Sequence, residues 1–285
     1  MAIASDRSEI AFRRTEKALL RLGSDEHAET VHSFRTAARR LELLLNEFSS
    51  DGGRNERKLV KALNRIRDRA GKVRDIDAQL AALRSLKVAQ QPRRKTQLTQ
   101  TLVDLRAQHD KKLAKLLTKK DIEEFARRLR RAARNFEINE KRDPLTVARK
   151  MLDGITKSDA LLDERKLRQL RKAVKSARYV AELAPKSAES SAFVEQLRSL
   201  QDALGSWHDW LTLTQTATEK LGNVNQSSLV AALTNVTRGK FRNAIAAISS
   251  SQVGGHISAS STRQGPVRAS QSKNPGSVER SEVAA

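Results

Sequence analysis

Apolar residues recur along this chain with the period of an α-helix. Leu59, Leu63, Ile66, Ala70 and Val73 follow one another at +4, +3, +4 and +3, flanked by Lys58, Lys61, Arg65, Arg69 and Lys72. That pattern puts one apolar stripe against a core and leaves basic borders on either side. From Ser5 to about Ser249 the same periodicity persists in Leu, Ala, Arg, Lys, Gln and Glu, and no alternating run of strand length appears. The predicted fold class is therefore all-α, a pair of helical bundles forming one compact unit. Breaks are expected at Gly23, Gly52-Gly53, Pro92, Asp143-Pro144, Pro185 and Gly222, with Asp143 as an N-cap ahead of a first-turn proline. Helices are predicted over about 5–22, 25–49, 54–71, 73–88, 92–118, 120–137, 144–157, 161–184, 187–204, 207–221 and 226–249.

Two of these segments resemble each other. Val31–Phe48 places His32, Arg35 and Arg39 within one narrow sector of a helix, with Arg40 at its edge and Leu41, Leu44, Leu45 and Phe48 on the apolar side. Leu167–Leu183 repeats the arrangement with Arg168, Arg171, Lys175 and Arg178. A second pair of landmarks follows, GKVRDID from Gly71 and GSWHDWL from Gly205, at nearly the same offset. The reading is an internal duplication, a first repeat of about 5–139 and a second of about 140–249, forming a single domain over 1–249. From 250 to 285 the sequence is rich in Ser and Gly with scarcely any large apolar residue, which predicts a disordered tail.

Charge sharpens the functional question. The 285 residues carry 55 Lys and Arg against 33 Asp and Glu, a net charge of +22. Such an excess opposes compaction by self-repulsion unless an anion relieves it, so an acidic partner is expected. There is no cysteine, which excludes disulfides and thiolate metal ligation and suits a reducing compartment. The N-terminus has Asp6, Arg7, Glu9, Arg13 and Arg14 where a signal peptide needs an apolar run, and no apolar stretch reaches membrane-spanning length. A cytoplasmic protein with no membrane partner is expected.

The motif V-H-x-[LF]-R-x-x-x-[RK]-[RK]-L is met at Val31, His32, Phe34, Arg35, Arg39, Arg40 and Leu41, and L-G-x-x-R-D-[LI]-D at 70–77 with Ala70 in place of Leu. Leu170, Arg171, Lys175, Arg178 and Tyr179 meet L-R-x-x-x-K-x-x-R-Y. These residues resemble the CHAD domain, the conserved-histidine α-helical family associated with inorganic polyphosphate. Arg168 stands where that family usually has a second histidine, and Ser176 where it usually has a base. The resemblance implies non-catalytic polyphosphate binding, with granule targeting as one role, through His32, Arg35, Arg39, Arg40, Arg168, Arg171, Lys175 and Arg178. Arginine suits phosphate because its planar fork donates two parallel bonds.

Alternatives remain open on the residues alone. A duplex nucleic-acid backbone needs only charge and is the second reading, whereas single-strand binding needs stacking platforms that a chain with 4% aromatic residues lacks. A tri- or polyphosphate hydrolase is the third; relatives of this family fused to a triphosphatase carry an E-x-E-x-K motif that is absent here. No catalytic residue, metal ligand or cofactor is assigned, and protein partners are left unspecified. Asp75 and Asp77 are read as structural, one capping a helix after Gly71 and both orienting nearby bases. His208-Asp209, between Trp207 and Trp210, is read as a helix start with buried indoles. Arg127, Arg128, Arg130, Arg131 and Arg134 are read as a solvated face.

Overall fold

The computed structural model describes residues 5–24, 27–50, 53–87, 92–156 and 163–251. Its helices are α1 (Ser5–Ser24), α2 (Ala28–Phe48), α3 (Arg54–Ser85), α4 (Pro92–Ala114), α5 (Lys119–Asn135), α6 (Pro144–Thr156), α7 (Glu164–Ala181), α8 (Ala188–Leu221) and α9 (Ser228–Ser250). No strand occurs among the described residues; a single antiparallel bridge, Ser49 with Ile138, ties the end of α2 to the segment after α5. The fold is all-α, as the periodicity requires. All of the predicted tail except Ser250 and Ser251 lies outside the described residues.

Helix ends fall where local chemistry dictates. Asp143 accepts the backbone N–H of Thr146 at 2.8 Å ahead of Pro144, Asp163 caps α7 through Lys166 at 2.7 Å, and Ser187 with Ser190 closes a reciprocal capping box on α8. Gly222 ends α8 at φ 89°, a backbone state that favours glycine.

Two predicted breaks are absent. Apolar spacing carries on from Val73 through Ile76, Leu80 and Leu83, so α3 is one helix of 32 residues and Gly71 lies inside it. Likewise α8 runs 34 residues through Gly205. The expected helix ends at 71 and 204 and starts at 73 and 207 are therefore corrected. An internal glycine costs only about 1 kcal/mol relative to alanine, and each of these helices buries side chains in two cores. The larger core takes Leu59, Leu63, Ile66 and Val73 of α3 with Leu197, Leu200, Leu204 and Trp207 of α8. The smaller takes Ile76, Leu80 and Leu83 with Leu213, Ala217 and Leu221.

Helices α1, α2, α3 and α4 pack in sequence, as do α6, α7, α8 and α9, with α5 laid on α1. The two sets meet where α2 lies against α7 and α3 against α8. The two basic helices are thus brought together at the centre of the molecule.

Candidate functional site

The seam between α2 and α7 is built by what each helix must bury. In α2, Val31, Phe34, Ala38, Leu41 and Leu45 face the core, and this leaves Arg35 and Arg39 at its border. In α7, Leu167, Leu170, Val174 and Ala177 face the core and leave Arg171, Lys175 and Arg178 at theirs. Arg39 crosses the seam: its Nη2 donates to Ser176 Oγ at 2.7 Å while its Nη1 pairs with Glu42 at 2.9 Å. Ser176, where a base is usual in the family's motif, is buried and serves as the hydroxyl acceptor that receives this guanidinium.

Helix α3 forms the floor. Gly71 faces Arg35, and a Cβ there would sit 3.6 Å from Arg35 Nη2, an ordinary van der Waals contact, so the guanidinium lies over this turn of α3. Asp75 lies 3.5 Å from Arg35 Nη1. One turn earlier Arg67 reaches Glu42, so this buried carboxylate is shared by Arg39 and Arg67. Across from α3, α8 brings His208 and Asp209, with Arg171 acting on both. The middle-of-helix position of Asp75 overturns the capping role expected for it or Asp77. Asp75 meets Arg35 and Asp77 accepts from Arg106 of α4 at 2.7 Å, so both do hold bases, on opposite sides of the helix. His208-Asp209 is not a helix start either. Trp207 is fully buried beside it, whereas Trp210 is only partly so.

Crowded positive charge shifts the titrations. Burial, with Arg35, Arg171, Arg178 and Arg39 around it, lowers Lys175 to about 8. Burial likewise lowers Arg39 and Arg171, Asp209 opposing the effect at Arg171. Neither loses its charge at any ordinary pH. His32 is solvent-exposed at the lip of the seam, yet partial desolvation and then Arg74, Lys175 and Arg35 lower its imidazole against the pull of Glu29. His208, further in, is lowered to about 4 by burial and by Arg171, Arg168 and Lys172, and is neutral under physiological conditions.

Of the eight residues expected at the site, Arg35, Arg39, Arg171 and Lys175 converge on the seam, with His32 at its lip. Arg40 and Arg178 stand at one end, flanking Tyr179 with guanidinium carbons 4.9 and 4.6 Å from the ring centroid, and both bond Glu182. Arg168 stands at the other, held by Glu164 at 2.7 Å and Gln215 at 3.3 Å. The motif reading missed Arg67, Arg74, Glu42 and Asp209. Arg74 and Asp209 were visible as landmarks, but their place under the seam depends on α3 and α8 being continuous. On the far flank of α2 a groove of about 930 Å³ opens towards α1, with His32 and Arg40 on the α2 side and Arg14, Lys17 and Arg21 on the other.

Fold and seam define an all-α protein with cations concentrated between its halves. A family model described as the CHAD domain matches residues 9–218, and the chain belongs to that family. Among solved structures, PptA from Streptomyces chartreusis is similar with a TM-score of 0.61 at 15% identity, covering 86% of this chain and 96% of that one. The CHAD domain from the plant Ricinus communis is similar with a TM-score of 0.58 at 17% identity, covering 90% of each chain. At these identities the likeness shows the fold. No curated protein matches the chain significantly in sequence. Among the described residues no helix is long and apolar enough to cross a membrane, and no three His, Asp or Glu side chains group as a metal site.

Proposed function

We propose that this protein binds inorganic polyphosphate without hydrolysing it, through the α2–α7 seam. The observation that carries this reading is the convergence of Arg35, Arg39, Arg171 and Lys175, where burial and then the neighbouring guanidiniums loosen the lysine's own proton. An array that repels itself in the free protein is stabilised when a linear polyanion lies along it. Charge-assisted bonds to phosphate contribute about 1.5–3 kcal/mol each where partly desolvated. The seam spans about 10 Å of helix axis between His32 and Arg39 at about 1.5 Å per residue, room for several successive phosphates. His32 borders the seam and the α1–α2 groove alike, which offers a longer chain a continuous path. The seam cations are partly withdrawn from the surface, and that favours a thin polymer over a duplex, whose backbone would meet only exposed bases. In a cell that stores polyphosphate in granules, the same contacts would hold the protein at the granule.

The deciding experiment is isothermal titration with long-chain polyphosphate, tripolyphosphate, ATP and duplex DNA at one near-physiological salt concentration. Long-chain polyphosphate should bind most tightly. Comparable affinity for DNA would reduce the reading to generic polyanion binding, and turnover of polyphosphate to orthophosphate would replace it with hydrolysis.

A further inference from the structure

Lys175 differs from the other seam cations in its chemistry. It is partly open to solvent, and no carboxylate lies within 4 Å of it among the described residues. Arg35 and Arg39 of α2 face it, as do Arg171 and Arg178 of its own helix; Asp209 of α8 is an acid close enough to feel its charge, and His32 lies near it at the lip. The Tyr179 ring stands 6.0 Å from its Nζ. A cation held among cations gives up its proton readily. With its pKa at about 8, roughly a quarter of the side chain is the neutral amine at pH 7.5, against about a thousandth for an ordinary lysine. A lysine made nucleophilic by desolvation and cationic neighbours is an established device of covalent chemistry.

The same guanidiniums are forks for a phosphate group, so an amine and a phosphate dock lie side by side. We propose that Lys175 is a modification site, acylated by small acyl phosphates whose phosphate seats on Arg35, Arg39 and Arg171 while the carbonyl carbon meets Nζ. The Nζ lone pair forms the new N–C bond, the C–O bond to phosphate breaks, and inorganic phosphate leaves with the electron pair. The proton shed by the nitrogen passes to that phosphate or to water, and the product is an amide. No oxidant, metal or second protein is needed. Guanidiniums, which do not titrate, take up most of the donor's charge and so limit reprotonation of the amine. The amide removes a charge from the centre of the seam, which would turn polyphosphate binding down in proportion to acyl-phosphate supply. This inference rests on the reading that the seam holds phosphate.

The full chain is incubated with acetyl phosphate at pH 7.5, and acetyl occupancy at each lysine is followed by peptide mass spectrometry, in parallel with N-acetoxysuccinimide, an acyl donor without phosphate. Lys175 should react at least about tenfold faster than the exposed Lys172 with acetyl phosphate, the roughly 250-fold gain in neutral amine over an ordinary lysine being partly offset by the lower nucleophilicity of a less basic nitrogen. The preference should shrink with the phosphate-free donor and fall in Arg35→Gln and Arg171→Gln, and the rate at Lys175 should level off above about pH 8 while that at Lys172 keeps rising. Should either variant fail to fold, competition by inorganic phosphate on the wild-type chain tests the same dock. Equal rates at Lys175 and Lys172 would overturn the proposal, and so would an undiminished preference with N-acetoxysuccinimide. If titration shows tight polyphosphate binding while Lys175 is unreactive, this inference alone fails. If Lys175 reacts selectively but polyphosphate neither binds nor protects it, the functional reading fails and the acylation site stands.

Discussion

Glu42 sets the direction in which the seam's cations point. Its side chain is 8% exposed and lies between the guanidiniums of Arg39 and Arg67, so Arg39 is anchored by one arm and extends the other across to α7. Lys175 has no such partner among the described residues, and its substitution should separate stability from binding. Its folded pKa lies below the unfolded value, so the free protein bears the full cost of the charged form below about pH 8 and recovers it as pH rises towards the ordinary lysine value. Lys175→Gln should therefore stabilise the free protein at pH 7 by on the order of 1–2 kcal/mol after allowance for partial exposure, while weakening polyphosphate binding. Thermal melts against pH check the first part: the gain should fade as pH climbs from about 8 to 10. At His32 the opposite end of the scale is probed. Its imidazole is lowered in the free protein, and a bound phosphate raises it, so affinity should increase as pH falls through the complex value and level off below the free one. His32→Ala should flatten that acid-side slope in titrations from about pH 5.5 to 8. An unchanged slope, with the mutant markedly less heat-stable, would make His32 a structural residue.

Elements were legible to the extent that their ends are chemical. Asp143-Pro144, Pro92 and Gly222 each mark a boundary that the structure keeps. Gly71 and Gly205 carry the same local signal and mark none, because the helices they sit in thread two cores and the packing on either side outweighs one glycine. A sequence pattern reports the stripe a helix buries but not that the stripe passes from one core to another. That is also why the cations of α2 and α7 were readable and their floor was not: Arg67 and Arg74 project from the very helix that was read as two. The two kinds of glycine should respond oppositely to alanine. At Gly205 a Cβ would meet nothing within 4 Å, so Gly205→Ala should stabilise by about 0.5–1 kcal/mol. At Gly222 φ is 89° and a Cβ would collide with Gln226, so Gly222→Ala should destabilise by more than that. Denaturant melts of the two variants give both signs directly.

At the scale of the whole molecule the question is whether +22 acts as a field or as a place. Helix α5 is the natural comparison, since Arg127, Arg131 and Arg134 are exposed on it while Arg130 is spent on Glu16 at 3.2 Å and Arg128 on Glu124. The seam instead gathers cations from α2, α3 and α7, with Arg39 and Arg67 sharing the buried Glu42 and Arg35 lying 3.5 Å from Asp75. Charge reversal in the seam would set new carboxylates against Glu42, Asp75 or Asp209, so neutral replacements make the comparison. Arg35→Gln with Arg171→Gln, and Arg127→Gln with Arg131→Gln, change the net charge equally. If binding is local, the first pair should weaken polyphosphate affinity by about 100-fold or more, two charge-assisted contacts being lost at about 1.5–3 kcal/mol each. The second should cost under about threefold at physiological salt, where exposed charges are screened beyond about 8 Å. Circular dichroism should show both variants fully helical, since relieving repulsion in the seam does not oppose folding. Salt then separates the two contributions: lowering ionic strength should enlarge the effect of the α5 pair while leaving the seam pair dominant. Equal losses at every salt concentration would mean that the seam is one more part of a uniformly basic surface, and that the polymer is held by the field of the molecule rather than at the meeting of α2 and α7.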